Sequence, residues 1–121
     1  MIKRLHSNLF LVSNLKNTAE FYEKLGFSIQ KTSDAVRIKI GDFTLAFMDE
    51  KQATITNESG ASLKGLGIYT YIEVDDADKY YEFTKNKNIH STEPKTWPWG
   101  KREFVIKDPD GYKLVFYSSI K

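Results

Sequence analysis

The feature that most constrains this chain is a short polar turn between two alternating runs. Asp108-Pro109-Asp110-Gly111 joins a residue that presets φ, a side chain that can bond its own backbone and a glycine that tolerates positive φ. Before the turn, Phe104 and Ile106 share one face. After it, Leu114 and Phe116 do the same. Period-two alternation around a glycine-containing turn predicts a β-hairpin. Immediately upstream, Trp97-Pro98-Trp99-Gly100 reads as a turn-rich loop. Tryptophans beside a sheet often form part of a pocket wall.

The rest of the chain alternates between the two periodicities. Residues 5–12 read as a strand. Asn14 is a helix cap, with Asn17 or Thr18 as rivals, and Ala19, Phe21, Tyr22 and Leu25 then recur at helical spacing before Gly26. Residues 27–31, 35–40 and 43–49 read as strands, the last two joined at Gly41-Asp42. A polar stretch over 51–64 reads as a linker. Residues 68–74 form a clear strand. Asp75 or Asp76 caps a second helix with Ala77, Tyr80, Tyr81 and Phe83 on its apolar face, and 89–92 suggests a short edge strand.

At 121 residues the chain is expected to be one domain. Its net charge of +2, evenly spread, argues against a nucleic-acid partner. With no cysteine there is no disulfide framework, thiolate nucleophile or cysteine zinc site, which suits a cytoplasmic location. No apolar leader or membrane span is read, so neither a signal peptide nor a membrane partner is expected. Phosphate-cradling glycine loops and a nucleophile elbow are also missing.

The two halves follow one plan: strand, helix, then strands ending in a hairpin. Val12-Ser13-Asn14 matches Val74-Asp75-Asp76 at an offset of 62, and Leu45 and Phe47 match Leu114 and Phe116 at an offset of 69. Such a repeat suits two βαβββ units. Asn14-Leu15, Phe21-Tyr22 and Leu25-Gly26-Phe27 resemble the first-helix signature of the glyoxalase/bleomycin-resistance/extradiol-dioxygenase (vicinal oxygen chelate) superfamily. Trp99-Gly100, Arg102-Glu103-Phe104 and Asp108 to Gly111 resemble the closing signature of its bleomycin-resistance-like branch. The resemblance implies an α+β fold: two βαβββ modules, about 1–50 and 65–121, with curved mixed sheets enclosing a cleft, usually in a homodimer.

Enzymes of that superfamily are known for a divalent metal held from the first and last strands of each module. The resemblance carries those positions onto Ser7, Ala46, Tyr69 and Val115. None offers the imidazole or carboxylate that such an ion prefers. His6 lies one residue away, and a one-residue offset in a strand points to the opposite face unless a bulge rotates it. His90 falls in a polar turn and reads as a surface histidine. No metal, no cofactor and no catalytic residue is therefore expected.

Alternation assigns an apolar face to Phe10, Val12, Val36, Ile38, Ile40, Leu45, Phe47, Ile68, Ile72, Val74, Phe104, Ile106, Leu114 and Phe116. The opposite face mixes apolar, hydroxyl and charged groups, as a ligand pocket does, although a solvated antiparallel face carries similar residues. The ligand candidates are Trp99, Trp97, Tyr69, Tyr71, Tyr117, Arg37, Met48 and Glu103. Arg102 and Glu103 could instead pair across the hairpin or a dimer interface. Glu73 and Glu103 could form an acid/base pair, but solvated charges are the plainer reading. Arg37, Lys39, Lys107 and Lys113 against Glu73 and Glu103 leave 4 − 2 = +2 on that face. A site for cationic bleomycin would be acidic, so a neutral or anionic ligand is expected. The sequence thus points to a non-catalytic small-molecule-binding protein acting by sequestration, as in antibiotic resistance. The alternatives are a metal-dependent lyase, isomerase or dioxygenase with displaced ligands, or an interaction module with a collapsed cleft.

Overall fold

A computed structural model of the chain describes residues 1–52 and 64–120. It divides into two compact units, 1–64 and 65–121. Most of the expected linker, 53–63, lies outside the described residues.

In the first unit, β1 (Ser7–Val12) leads into α1 (Leu15–Lys24), followed by β2 (Gln30–Lys31), β3 (Ala35–Ile40) and β4 (Phe43–Asp49). The sheet order is β1-β4-β3-β2. β1 runs parallel to β4, and the other neighbours are antiparallel. In the second unit, β5 (Tyr69–Glu73), α2 (Ala77–Asn86), β6 (Lys95–Trp97), β7 (Lys101–Lys107) and β8 (Lys113–Ser119) repeat that plan in the order β5-β8-β7-β6. The fold is thus α+β, with two βαβββ modules.

The repeat extends to the helix ends. Asn14 caps α1 by accepting the Asn17 amide at 3.0 Å, and Asp76 caps α2 by accepting that of Lys79 at 3.1 Å. Both helices close with the same pair of reversed hydrogen bonds. Gly26 N donates to Glu23 O and Phe27 N to Tyr22 O; Asn88 N donates to Lys85 O and Ile89 N to Thr84 O. This Schellman closure needs a residue at positive φ. Gly26 supplies it at 98°, and Asn88 does so at 60° as the only non-glycine residue of its kind among those described. Each cap and closure recurs at the offset of 62.

One layer of each core is the sheet face against its helix. Phe10, Val12, Val36, Ile38, Leu45 and Phe47 are buried in the first unit. Tyr22 packs on Phe47 with ring centroids 4.7 Å apart. In the second, Phe104, Ile106, Leu114 and Phe116 are buried, with Tyr80 4.7 Å from Phe116 and Tyr81 edge-on to Phe104 at 5.4 Å. Of the residues assigned to this face, Ile72 and Val74 are half-buried and two are exposed. Ile40 ends β3 and Ile68 precedes β5, and both are exposed because they lie at the ends of the covered surface. Phe83 is also exposed, stacked on Tyr80 rather than aimed at the sheet.

Two strand expectations need correction, and one strand was not expected. Over 27–31 only Gln30–Lys31 pairs, because Phe27 is used in closing α1. Over 89–92 there is a single bridge, Ser91 to Ile106, because Ile89 closes α2. The real edge strand is β6, which contains Trp97. Between Ser91–Ile106 and Lys95–Glu103 the edge chain advances four residues while β7 advances three. The extra residue is a bulge, stabilised where Thr92 Oγ1 accepts the Val105 amide at 2.9 Å. Pro94 beside it blunts the sheet edge.

Candidate functional site

Strand alternation and the cross-strand register define the helix-free face of the second sheet. One row reads Lys95, Glu103, Tyr117, Glu73 across β6, β7, β8 and β5. The next reads Val105, Val115, Tyr71, and a third Lys107, Lys113, Tyr69. At the other end Trp97 faces Lys101 and Ser119. This single face gathers six of the eight expected ligand residues: Tyr69, Tyr71, Glu103 and Tyr117 in its rows, Trp97 in β6, and Trp99 on the adjoining turn. Arg37 and Met48 lie on the corresponding face of the first sheet, in β3 and β4.

The Trp97-Pro98-Trp99-Gly100 segment is a tight turn rather than an open loop. Gly100 N donates to Trp97 O at 3.1 Å, with proline at the second position and Gly100 at φ 85°. The turn stacks the two indoles, 4.9 Å apart and only 7° from parallel. Lys95 Nζ lies 4.1 Å from the Trp97 ring centre. Rings stacked this closely leave no room for an ammonium between them, so Lys95 takes the opposite side of Trp97. Trp97 is therefore enclosed on both faces, whereas Trp99 is 64% exposed and offers its outer face.

Two further rings carry an intramolecular ammonium. Lys101 Nζ is 4.5 Å from the Tyr117 ring centre, and Lys113 Nζ is 5.3 Å from that of Tyr69. Tyr71 packs at 6.1 Å against Tyr117. Tyr69 and Tyr71 remain largely exposed. The neighbouring Glu103 has one carboxylate oxygen, Oε2, shielded from solvent, to which no protein group donates. Within the chain Arg102 and Glu103 do not pair with each other. Consecutive strand residues face opposite ways, and Arg102 holds both oxygens of Asp78 on α2 through Nε at 2.9 Å. Glu73 and Glu103 lie in one row but are separated by Tyr117 on β8.

Four positions, Ser7, Ala46, Tyr69 and Val115, correspond by the resemblance to metal ligands. Ser7 pairs with Thr44 and Ala46 with Leu9, while Tyr69 pairs with Lys113 and Val115 with Tyr71. Two positions have no donor atom, and Val115 is buried. A hydroxyl and a phenol are poor ligands unless ionised. The residues present do not fit a divalent ion there. His6 is exposed just outside β1, with its carbonyl accepting from Thr44 N, and His90 is exposed as well. Among the described residues no three acidic, histidine or cysteine side chains cluster as a metal site.

A groove at the N-terminal end of α2 was not foreseen from the sequence. It encloses about 510 Å³ between Glu73, Asp75, Asp76, Lys79, Tyr80 and Phe83. Burial pushes the Tyr80 phenol well above its ordinary pKa. No described helix is long and apolar enough to cross a membrane.

The strand order and register repeated in each sheet define a class of two-module βαβββ proteins. Residues 4–116 match the sequence profile of the Glyoxalase/Bleomycin resistance protein/Dioxygenase superfamily, and the chain belongs to that family. Among solved structures it is similar to a glyoxalase/bleomycin resistance protein/dioxygenase from Nocardioides. That match has 18% identity and a TM-score of 0.81, covering 100% of this chain and 86% of the other. It also resembles a bleomycin resistance determinant encoded on transposon Tn5, at 23% identity and TM-score 0.71, with 97% and 98% of the chains covered. A lactoylglutathione lyase from Agrobacterium tumefaciens matches at 16% identity and TM-score 0.75, over 97% and 94%. At these identities the likeness is one of fold. No curated protein matches the chain significantly.

Proposed function

We propose that this chain is a non-catalytic, cytoplasmic binding protein of the bleomycin-resistance-like type. It works as a homodimer that sequesters a small neutral or anionic molecule. The observation that carries this reading is the helix-free face of the second sheet. Aromatic rings, lysines and one orphaned carboxylate oxygen share that face, as in sites that fix a small molecule by stacking and a few polar contacts. The donor chemistry at Ser7, Ala46, Tyr69 and Val115 supports binding over metal catalysis. Sequestration needs only affinity and abundance, and no nucleophile or acid/base pair.

A screen of small molecules by thermal shift, read alongside tryptophan fluorescence, tests the reading. Ligands should raise the melting temperature and quench Trp99. Silence across the screen would favour an interaction module instead. Stoichiometric zinc, nickel, manganese or iron in purified protein would favour the lyase, isomerase or dioxygenase alternative. Nanomolar affinity for bleomycin would overturn the neutral-or-anionic assignment, and a monomer mass by light scattering would overturn the dimer.

A further inference from the structure

The register adds two lysines to the helix-free face of the second sheet. Lys95, Lys101, Lys107 and Lys113 stand there against Glu73 and Glu103, giving 4 − 2 = +2. Three of these ammonium groups lie over rings. Lys95 stands directly opposite Glu103 in the β6–β7 register, the place where an opposite-charge pair would form. It leans instead over Trp97, and Glu103 Oε2 receives no donor. A desolvated carboxylate oxygen without a donor is unfavourable, and its presence in a folded protein calls for a reason.

Resting on the binding reading above, we propose that this face takes a small aromatic acid bearing a hydroxyl or amino group. Its ring lies against Tyr117 and Tyr71, its acid group meets Lys101, and its hydroxyl or amino hydrogen goes to the half-buried Glu103 carboxylate. Three features select that chemistry. Lysines already lie over Trp97, Tyr117 and Tyr69, so a cationic ligand competes with them there and meets their repulsion. An anion gains an ammonium that has no carboxylate partner among the described residues, and a charge-assisted hydrogen bond follows. Lys101 and Glu103 are two residues apart on one strand, about 6.8 Å along it, and point to the same side. That spacing matches a benzene ring with an acid at one end and a donor at the other.

Titration of the full chain with four probes tests the proposal: para-hydroxybenzoate, benzoate, para-hydroxybenzamide and tyramine, by calorimetry and tryptophan fluorescence. Para-hydroxybenzoate should bind roughly tenfold tighter than its amide. Benzoate should be several-fold weaker, and tyramine weakest. Lys101→Met should bring the acid down to the level of the amide. Glu103→Leu should make para-hydroxybenzoate and benzoate equal. Circular dichroism of each variant checks folding, and the wild-type ranking is decisive if either variant fails to fold. Amide or tyramine binding as tightly as the acid overturns the ligand class while leaving a binding protein. Silence from all four probes at millimolar concentration overturns the aromatic-acid assignment, and silence across the wider screen as well would overturn the binding reading with it.

Discussion

Single residues carry the constraints that composition hides. Gly65 adopts φ +81°, and a Cβ placed there would lie 2.1 Å from the carbonyl oxygen of Gly111. Both the backbone conformation and the space exclude a side chain. Gly65→Ala should lower unfolding free energy by more than about 2 kcal/mol. An unchanged urea midpoint would contradict this. Asn88 makes a gentler case. Its φ of 60° is tolerated by asparagine and preferred by glycine. Asn88→Ala should cost about 1 kcal/mol, whereas Asn88→Gly should cost nothing, as compared in chemical denaturation. Nothing local to Asn88 marks it in the sequence, since asparagine is common in loops. Its equivalence to Gly26 becomes visible only through the repeat.

At the scale of elements, the helices and their sheets were largely legible. Strands such as β3, β4 and β8 alternate cleanly, and their turns carry glycine or Asp-Pro-Asp-Gly. β6 was not legible. Lys95-Thr96-Trp97 is short, follows a proline and lacks apolar alternation, so it reads as loop. Its pairing depends on the bulge at Thr92, which no local pattern announces. The site suffered the same way. Its aromatics stood out by type, but which lysine covers which ring depends on register between strands far apart in sequence. Helix α2 gives a pH-dependent prediction through Tyr80. Burial raises its folded pKa, so above the unfolded value of about 10 the unfolded chain loses protons first. Stability from this group is intact below that pH and is lost as pH rises beyond it. Melting curves between about pH 9 and pH 11 should show a fall in midpoint that Tyr80→Phe reduces. Equal slopes in both proteins would count against it.

For the whole molecule, the donor chemistry at the four superfamily positions predicts indifference to metal. Extended dialysis against a chelator should leave both the melting temperature and ligand binding unchanged. A drop in either, restored by a divalent ion, would show that other side chains hold one. The module plan also has a consequence for how the chain is made. Each sheet pairs its first strand with its last: Ser7 with Thr44 and Tyr69 with Lys113, separations of 37 and 44 residues. Synthesis proceeds from the N-terminus, and domains generally fold as units. The first sheet can close once residue 49 has left the ribosome, before the last strand of the second module has emerged. β5 emerges early in its own module but has no partner until β8 follows. During that interval its edge, with Tyr69 and Tyr71, is open to pairing with another nascent chain. β1 waits for β4 in the same way, but over 37 residues rather than 44, so the second module is open to mispairing for the longer interval.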